Sequence, residues 1–327
     1  MSGPQRPQRP QRVAITGATG LIGLALVQSL RADGHAVQRL VRPGSQAPAE
    51  PNDLHWDPEK GVVDAKALDG IDAVVHLAGE PIAERWTAEH KQRVRDSRVT
   101  GTAVLSTALA GLTRPPRVML SASAMGYYGD GEARRLDEAS PAGDGFLASV
   151  AVEWEAAATP AADAGIRVVH PRFGVVLSPD GGMLERLLTP FRLGAGGKLG
   201  NGTQWLSWIA LDDAVRALRF LLALESEQGD VRAAEIRGPV NLTAPNPVTN
   251  ADFSHTLAHV LGRPALATVP AFALRLMFGE MADAMLLAGQ RVMPTRLLAS
   301  GFEFHWPELD GALRAMLEKK ERDASDD

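Results

Sequence analysis

Apolar residues recur along the first half of the chain with two alternating periods. Short runs of branched apolar residues, typical of buried parallel strands, alternate with longer segments whose apolar positions have helical spacing. This alternation predicts an α/β fold, namely a Rossmann-type doubly wound parallel sheet with helices on both faces. The predicted strands cover 13–15, 36–41, 73–77, 118–121 and part of 168–176, and the predicted helices cover 21–30, 87–110 and 147–162.

The pattern changes after residue 177. Residues 178–204 are rich in glycine and leucine, and from residue 250 onward the chain reads mainly as helix. Between them, 207–211 and 239–243 read as strands, and Asp212 or Asp213 is predicted to cap a helix ending near residue 224. We therefore predict a nucleotide-binding domain of residues 12–177 plus 207–243, and a smaller, mostly helical C-terminal substrate lobe of residues 178–206 plus 244–318. The polar ends, 1–11 and 319–327, are predicted to be disordered tails.

A turn rich in small residues joins the first predicted strand to the first predicted helix. Gly17 allows a sharp backbone bend, Gly20 lets a pyrophosphate approach N–H groups at the positive helix end, and Gly23 lets the helix pack on the sheet. The spacing is G-x-x-G-x-x-G, and the strand–turn–helix order is the context of a dinucleotide fingerprint. An ordinary tight turn is the alternative. The predicted cofactor-binding residues of this turn are Gly17, Ala18, Thr19, Gly20, Leu21, Ile22 and Gly23.

Two further residues and one segment bear on how a dinucleotide would bind. The second strand ends at Arg42, with no carboxylate to bind a ribose hydroxyl, and a guanidinium can clamp a 2′-phosphate through two hydrogen bonds. This favours NADP(H) over NAD(H), the alternative being a solvated loop arginine. Asp57 either accepts a hydrogen bond from the adenine amino group or is a turn aspartate. The segment Leu77, Ala78 and Gly79 ends the third strand at the carboxyl edge, where its small residues let a cofactor pass close to the backbone.

Composition excludes several classes of function. The net charge of −5, from 34 basic and 39 acidic residues, argues against a nucleic-acid or acidic-membrane partner. The chain has no cysteine, which excludes disulfides, zinc–thiolate sites and cysteine nucleophiles. No apolar run is long enough to cross a bilayer, and no signal peptide precedes the fold, so we expect a cytoplasmic protein. His255 and His259 have ligand spacing but lack a third partner, so no metal site is predicted.

Long segments of the chain resemble one known family. Thr16–Gly23, His76–Gly79 and Ser121–Ser123 are similar to the short-chain dehydrogenase/reductase superfamily, in its extended, epimerase-like branch. Further segments resemble the atypical, NAD-dependent epimerase/dehydratase-like proteins labelled YfcH-like, over residues 12 to about 318: these are Ala78–Ile82, Asp96–Arg98, Ser121–Gly129, Gln204–Trp208, Asn241–Pro247 and Gly301–Phe304. The resemblance implies an NADP-binding Rossmann lobe and a small C-terminal substrate lobe.

The resemblance also implies a serine, a tyrosine and a lysine for hydride-transfer chemistry, and the chain departs from this set. Ser123 matches the serine at the end of the fourth strand, but the helix that should carry Tyr-x-x-x-Lys, residues 146–155, has neither residue. Tyr127 or Tyr128 could replace the acid, or both could simply pack against the fold. Glu80 directly follows the third strand and could move a proton, cap a helix or pair with Arg85 or Arg98.

Two functions are compatible with these residues. The first is an NADP(H)-dependent oxidoreductase or epimerase-like enzyme that acts on a small polar substrate, with a sugar nucleotide as one candidate. Ser123 would orient the reacting oxygen and Tyr127 or Glu80 would move the proton. The substrate pocket is predicted to be lined by Arg98, Trp205 and Trp208. The alternative is a catalytically inactive, NADP(H)-binding regulatory or sensor module. The superfamily further suggests a homodimer through the long helices.

Overall fold

The computed structural model describes residues 10–45, 48–223, 231–265 and 267–326. Within them the strands are β1 (Arg12–Thr16), β2 (Ala36–Val41), β3 (Leu54–Asp57), β4 (Val62–Val63), β5 (Ala73–His76), β6 (Val118–Ser121), β7 (Ser123–Ala124), β8 (Arg135–Leu136), β9 (Arg167–Phe173), β10 (Val175–Leu177), β11 (Gly197–Leu199), β12 (Trp205–Leu206), β13 (Trp208–Ala210), β14 (Gly238–Leu242), β15 (Val248–Thr249), β16 (Ala267–Val269) and β17 (Arg291–Val292). The α-helices are α1 (Leu21–Ala32), α2 (Ala65–Leu68), α3 (Ala88–Ala110), α4 (Phe146–Ala156), α5 (Thr159–Asp163), α6 (Gly182–Arg192), α7 (Leu211–Leu222), α8 (Val231–Glu235), α9 (Asn250–Val260), α10 (Ala271–Phe278), α11 (Thr295–Ala299) and α12 (Leu309–Asp326).

The central sheet has the order β14-β9-β6-β5-β1-β2-β3-β4, with β7 pairing β9. Its strands run parallel except for β4, which pairs antiparallel with β3 at one edge. The chain moves outward from β1 in both directions, so the strand order reverses there, and ligands bind at such a switch point. The predicted α/β Rossmann-type fold is therefore confirmed.

Side chains on the two faces of the sheet belong to separate cores. Val13 and Ile15 of β1 pack in the core formed with α1 and α7, whereas Ala14 packs in the core beneath α3. Because successive strand residues point to opposite faces, a strand apolar at every position must be covered on both sides. The doubly wound arrangement thus follows from the uninterrupted apolar run of β1.

The C-terminal lobe is built on α6, α9 and α12, whose apolar faces share a third core. The last helix extends to Asp326. Residues 319–326 are therefore helical in the structure, where their charged composition predicts an unstructured tail, because they continue a helix whose earlier residues Leu313 and Leu317 are buried. The tail predicted at 1–11 lies almost entirely outside the described residues. No helix in the described ranges is long and apolar enough to cross a membrane.

Three local predictions differ from the structure. The helix predicted over 147–162 is divided into α4 and α5, because Pro160 in the first turn of α5 cannot donate to the preceding turn. The strands β3 and β4 were not predicted, since each is short and β3 includes the polar His55. Asp212 and Asp213 do not cap α7, whose N-cap is Ala210. Both aspartates lie in its first turn.

Candidate functional site

The glycine turn before α1 leaves an open space at the helix N-terminus. Gly17 has φ +66°, and a Cβ added there would lie 2.8 Å from the backbone nitrogen of Ala78. A Cβ on Gly23 would overlap the carbonyl of Gly17, so both glycines are required by packing. A Cβ on Gly20 would meet only the Gly17 oxygen, at 3.4 Å. Gly20 therefore faces free space.

The N-terminus of α1 lacks a capping side chain in the described part of the chain. Gly20 is the N-cap and provides no side-chain hydrogen bond, and the first turn contains no acidic residue. Thr19 and Gly20 are exposed, Leu21 and Ile22 are half-buried, and Ala18 is buried. Backbone N–H groups of a first helical turn that lack a cap favour an anionic ligand. The turn can therefore seat a diphosphate.

The buried hydroxyl of Thr16 holds the loop that faces the glycine turn. Thr16 Oγ1 accepts hydrogen bonds from the backbone nitrogens of Leu77 (3.1 Å) and Ala78 (3.2 Å), and it lies 2.7 Å from Nδ1 of His76. The single proton of the hydroxyl must then go to His76, so Nδ1 is unprotonated and His76 is neutral. Burial lowers the pKa of His76 to about 4, which is consistent with a neutral ring. Thr16 thus fixes the loop that begins at Leu77.

The two residues predicted to contact the adenosine half have different surroundings. Arg42 is exposed directly after β2 and has no ion pair or side-chain hydrogen bond in the described part of the chain. The neighbouring Arg39 is instead bound to Asp53, and this hydrogen bond raises the pKa of Arg39 despite its burial. Asp57 caps a short 3-10 helix by accepting from the backbone nitrogen of Lys60, whose ammonium lies 3.0 Å away. The geometry of Asp57 is that of a turn aspartate.

Ser123 lies at the carboxyl edge of the sheet and is bonded to a carboxylate. Ser121 is in register with His76, the last residue of β5. Ser123 therefore lies two residues beyond the edge at which the loop starting at Leu77 begins. Ser123 is 2% exposed, and its hydroxyl donates to Oε1 of Glu155 at 2.7 Å. Glu155 is near the end of α4, the helix that lacks the tyrosine and lysine.

A buried arginine holds this carboxylate on both of its oxygens. Arg172 of β9 donates from Nε to Oε1 of Glu155 at 2.7 Å and from Nη2 to Oε2 at 2.8 Å. Burial of Arg172 opposes its charge, but the hydrogen bonds and the attraction to Glu155 raise the pKa of Arg172 overall. The pair is therefore ionised, and the two-point contact sets the orientation of the carboxylate.

Both tyrosines of the chain contact Arg172. The ring of Tyr127 lies 3.4 Å from the guanidinium carbon, in a cation–π contact, and Tyr127 is half-buried. Tyr128 is buried, accepts from Nη1 of Arg172 at 2.9 Å and donates to Asn241 at 2.7 Å. Burial raises the pKa of Tyr128 to about 12, so Tyr128 is a poor acid near neutral pH. The tyrosines pack around the charged pair.

The side chains of Glu80 and Arg98 both bind other groups of the protein. The side chain of Glu80 accepts from Nε of Arg93 at 3.3 Å, not from either arginine suggested by the sequence. Arg98 donates to the backbone oxygens of Glu80 (3.0 Å) and Val94 (3.1 Å), and its guanidinium lies 5.1 Å from the Trp154 ring. Burial lowers the pKa of Arg98 to about 10. Arg98 therefore supports the backbone beyond β5.

The two tryptophans predicted to line the substrate pocket lie in different environments. Trp208 is fully buried, donates to the backbone oxygen of Asn246 and packs in the core of the C-terminal lobe, so its prediction as a pocket residue is wrong. Alternating strand residues face opposite sides, and both sides of β13 are covered, since Trp208 and Ile209 pack in different cores. Trp205 is half-buried, with the guanidinium of Arg291 4.1 Å from its ring.

The chain matches two family models. A model described as the NAD dependent epimerase/dehydratase family matches residues 13–234. The chain belongs to this family. A second model, described as a domain of unknown function (DUF1731), matches residues 269–316, within the C-terminal lobe.

Similar proteins extend over nearly the whole chain. The chain is 48% identical to epimerase family protein Mb2239 of Mycobacterium bovis over 290 residues, covering 88% of this chain and 92% of that protein. A crystal structure of human epimerase family protein SDR39U1 (isoform 2) with NADPH has a TM-score of 0.84 and 36% identity, covering 94% of this chain and 99% of the human chain. A structure of the nucleoside-diphosphate sugar epimerase of Corynebacterium glutamicum has a TM-score of 0.73 and 37% identity, covering 97% of this chain and 62% of that one.

Sequence reasoning missed Glu155, which accepts the hydrogen bond of Ser123, and Arg172, which pairs with Glu155. One signal was available for Glu155: it is one of the two charged residues in a mainly apolar helix. No comparable signal marks Arg172, because a single arginine in a strand more often faces solvent. The register of β7 with β9 places Ser123 opposite Arg172, and Glu155 reaches both residues from α4.

Proposed function

We propose that this family member is an NADP(H)-dependent oxidoreductase or epimerase-like enzyme that acts on a small polar substrate, with a sugar nucleotide as the first candidate. The observation that carries the proposal is Ser123, which is buried at the same carboxyl edge of the sheet as the glycine turn and is hydrogen-bonded to a carboxylate that pairs with an arginine. The human relative crystallised with NADPH supports the coenzyme. The Corynebacterium glutamicum relative, described as a nucleoside-diphosphate sugar epimerase, supports the substrate class.

The residues of the glycine turn fit a dinucleotide. The uncapped N-terminus of α1 and the free space at Gly20 suit a diphosphate. The segment Leu77–Gly79 would let the rest of the coenzyme pass close to the backbone. Arg42, without an intramolecular partner among the described residues, would hold a 2′-phosphate. When bound, the coenzyme would supply hydride transfer. Ser123 would then orient the substrate oxygen at which the proton is exchanged.

Coenzyme binding is tested by fluorescence titration with NADPH and NADH. We expect NADPH to bind at least tenfold more tightly, since a charge-assisted hydrogen bond contributes about 1.5–3 kcal/mol. Arg42→Ala should remove this preference, whereas Arg263→Ala, which removes an exposed arginine of the other lobe, should retain it. Equal affinity of the wild-type protein for both coenzymes would refute the role of Arg42.

One observation favours the second candidate, an inactive NADP(H)-binding sensor. Helix α4 has neither a tyrosine nor a lysine, and Tyr127 and Tyr128 both pack around Arg172. NADPH consumption over a panel of carbonyl compounds separates the two candidates: turnover that Ser123→Ala abolishes supports the enzyme, and saturable binding without turnover supports the sensor. The homodimer and the cytoplasmic location stay predictions, and analytical ultracentrifugation tests the dimer.

A further inference from the structure

The hydrogen bond between Ser123 and Glu155 has a defined direction. A serine hydroxyl has one proton and two lone pairs, whereas an ionised carboxylate can only accept. The 2.7 Å contact between Ser123 Oγ and Glu155 Oε1 must therefore use the serine proton. Within the described residues, Ser123 Oγ makes no other side-chain hydrogen bond, so its lone pairs are uncommitted.

Glu155 stays ionised because of its surroundings. Both of its oxygens accept from Arg172, at 2.7 and 2.8 Å, and a neutral carboxyl group would have to give up one of these bonds to hold its own proton. Arg172 is itself 2% exposed, so loss of its counter-charge would leave a buried unpaired cation. Among the described residues, the other hydrogen-bond partner of the Arg172 side chain is the Tyr128 hydroxyl, which accepts from it and supplies no negative charge.

We infer that Glu155 is a positioning residue that turns the Ser123 proton away from the ligand and makes Ser123 a hydrogen-bond acceptor. The site therefore binds a substrate through a hydroxyl group in preference to a carbonyl group, because a hydroxyl donates to Ser123 and a carbonyl cannot. Glu155 lies on α4, the helix that the family resemblance would give a tyrosine and a lysine. The inference rests on the proposed function and specifies the oxidation state of the bound substrate.

The direction of this hydrogen bond is tested by neutron diffraction from deuterated crystals of the wild-type protein near pH 7. We expect a deuterium on Ser123 Oγ that points to Glu155 Oε1, and none on the Glu155 carboxylate. A Ser123 deuterium that points away from Glu155, or a deuterium on Glu155, overturns the inference. This measurement needs neither coenzyme nor substrate, and no variant has to fold.

The ligand preference is tested by calorimetry with UDP-glucose, which has a hydroxyl at C4, and UDP-4-keto-6-deoxyglucose, which has a carbonyl there. We expect the ratio of the two dissociation constants to shift by about tenfold toward the ketone in Glu155→Gln, because the amide can donate to Ser123 and free its proton. Glu153→Gln is the matched control: it makes the same change on the same helix, where Glu153 pairs with Arg95, and should leave the ratio unchanged. An unchanged ratio in Glu155→Gln overturns the inference.

The two proposals fail separately. A protein that has the expected deuterium position but does not bind NADPH refutes the proposed function and leaves the Ser123–Glu155 geometry intact. A protein that binds NADPH and has the opposite deuterium position refutes only the positioning role of Glu155.

Discussion

Two glycines three residues apart, Gly20 and Gly23, allow the ligand-binding role of the turn to be separated from its structural role. Gly20 has φ −77° and ψ 169°, which alanine adopts without strain, and its new methyl group would meet only the Gly17 oxygen at 3.4 Å. A methyl group on Gly23 would overlap that same oxygen and lie 2.8 Å from the Gly17 carbonyl carbon and 2.9 Å from Cα of Ala18. The backbone must move for the second substitution and not for the first.

These distances give opposite expectations for stability and binding. We expect Gly20→Ala to change the free energy of unfolding by less than about 1 kcal/mol, since a glycine replaced at compatible dihedral angles alters mainly the unfolded chain. Gly23→Ala should cost about 3 kcal/mol, the upper end for overpacked sites, because the contact is with backbone. In Gly20→Ala the methyl group fills the space above the first-turn N–H groups, and loss of one charge-assisted hydrogen bond of about 1.5–3 kcal/mol weakens NADPH binding by roughly 10- to 150-fold.

Urea unfolding and NADPH fluorescence titration, run on the same preparations, measure both quantities. Gly34→Ala serves as a control for glycine replacement outside the site, since a Cβ there meets no atom within 4 Å; its φ of +87° adds only local strain. Wild-type NADPH affinity in Gly20→Ala would refute the diphosphate seat. Unchanged stability in Gly23→Ala would refute the account of helix packing.

The remaining predictions concern the buried polar groups around the cleft. Thr16→Val should lower the free energy of unfolding by about 2 kcal/mol and weaken NADPH binding, because the backbone N–H of Ala78 loses its acceptor and that of Leu77 keeps only its 3.3 Å hydrogen bond to the Thr16 carbonyl. Thr16→Ser should retain the wild-type stability and affinity. His76 has a pKa of about 4 in the folded state and 6.5 in the unfolded state, so the unfolded state takes up a proton first as the pH falls. The free energy of unfolding, measured with urea, should therefore drop by about 2 kcal/mol between pH 7 and pH 5. His76→Gln should remove this drop in stability, whereas His255→Gln, at an exposed histidine, should leave the drop as it is in the wild type. An unchanged pH dependence of stability in His76→Gln would contradict its assignment to His76. Glu155→Leu should cost about 3–5 kcal/mol by leaving Arg172 unpaired, and adding Arg172→Met should recover part of that loss; a double variant less stable than Glu155→Leu would argue against the ion pair.

The features that were predicted correctly depend on local sequence. Apolar runs and helical spacing specify the strands and helices of the sheet, and the packing at Gly17 and Gly23 follows from one short turn. Features that join distant residues were not predictable in this way. Glu155 and Arg172 meet across two elements, and Asp213 accepts from the backbone nitrogens of His305 and Trp306 rather than capping α7. Single-residue patterns indicate that a polar group is present but not which partner satisfies it.

The hydroxyl of Thr16 links the strand that leads into the glycine turn to the loop that faces it. The two segments that border the proposed coenzyme site are therefore held together by one internal contact before any ligand arrives. Little conformational entropy remains to be lost on association at this end of the groove, which favours affinity. Association with a nicotinamide dinucleotide should accordingly be a single fast phase, without a slow rearrangement of the backbone.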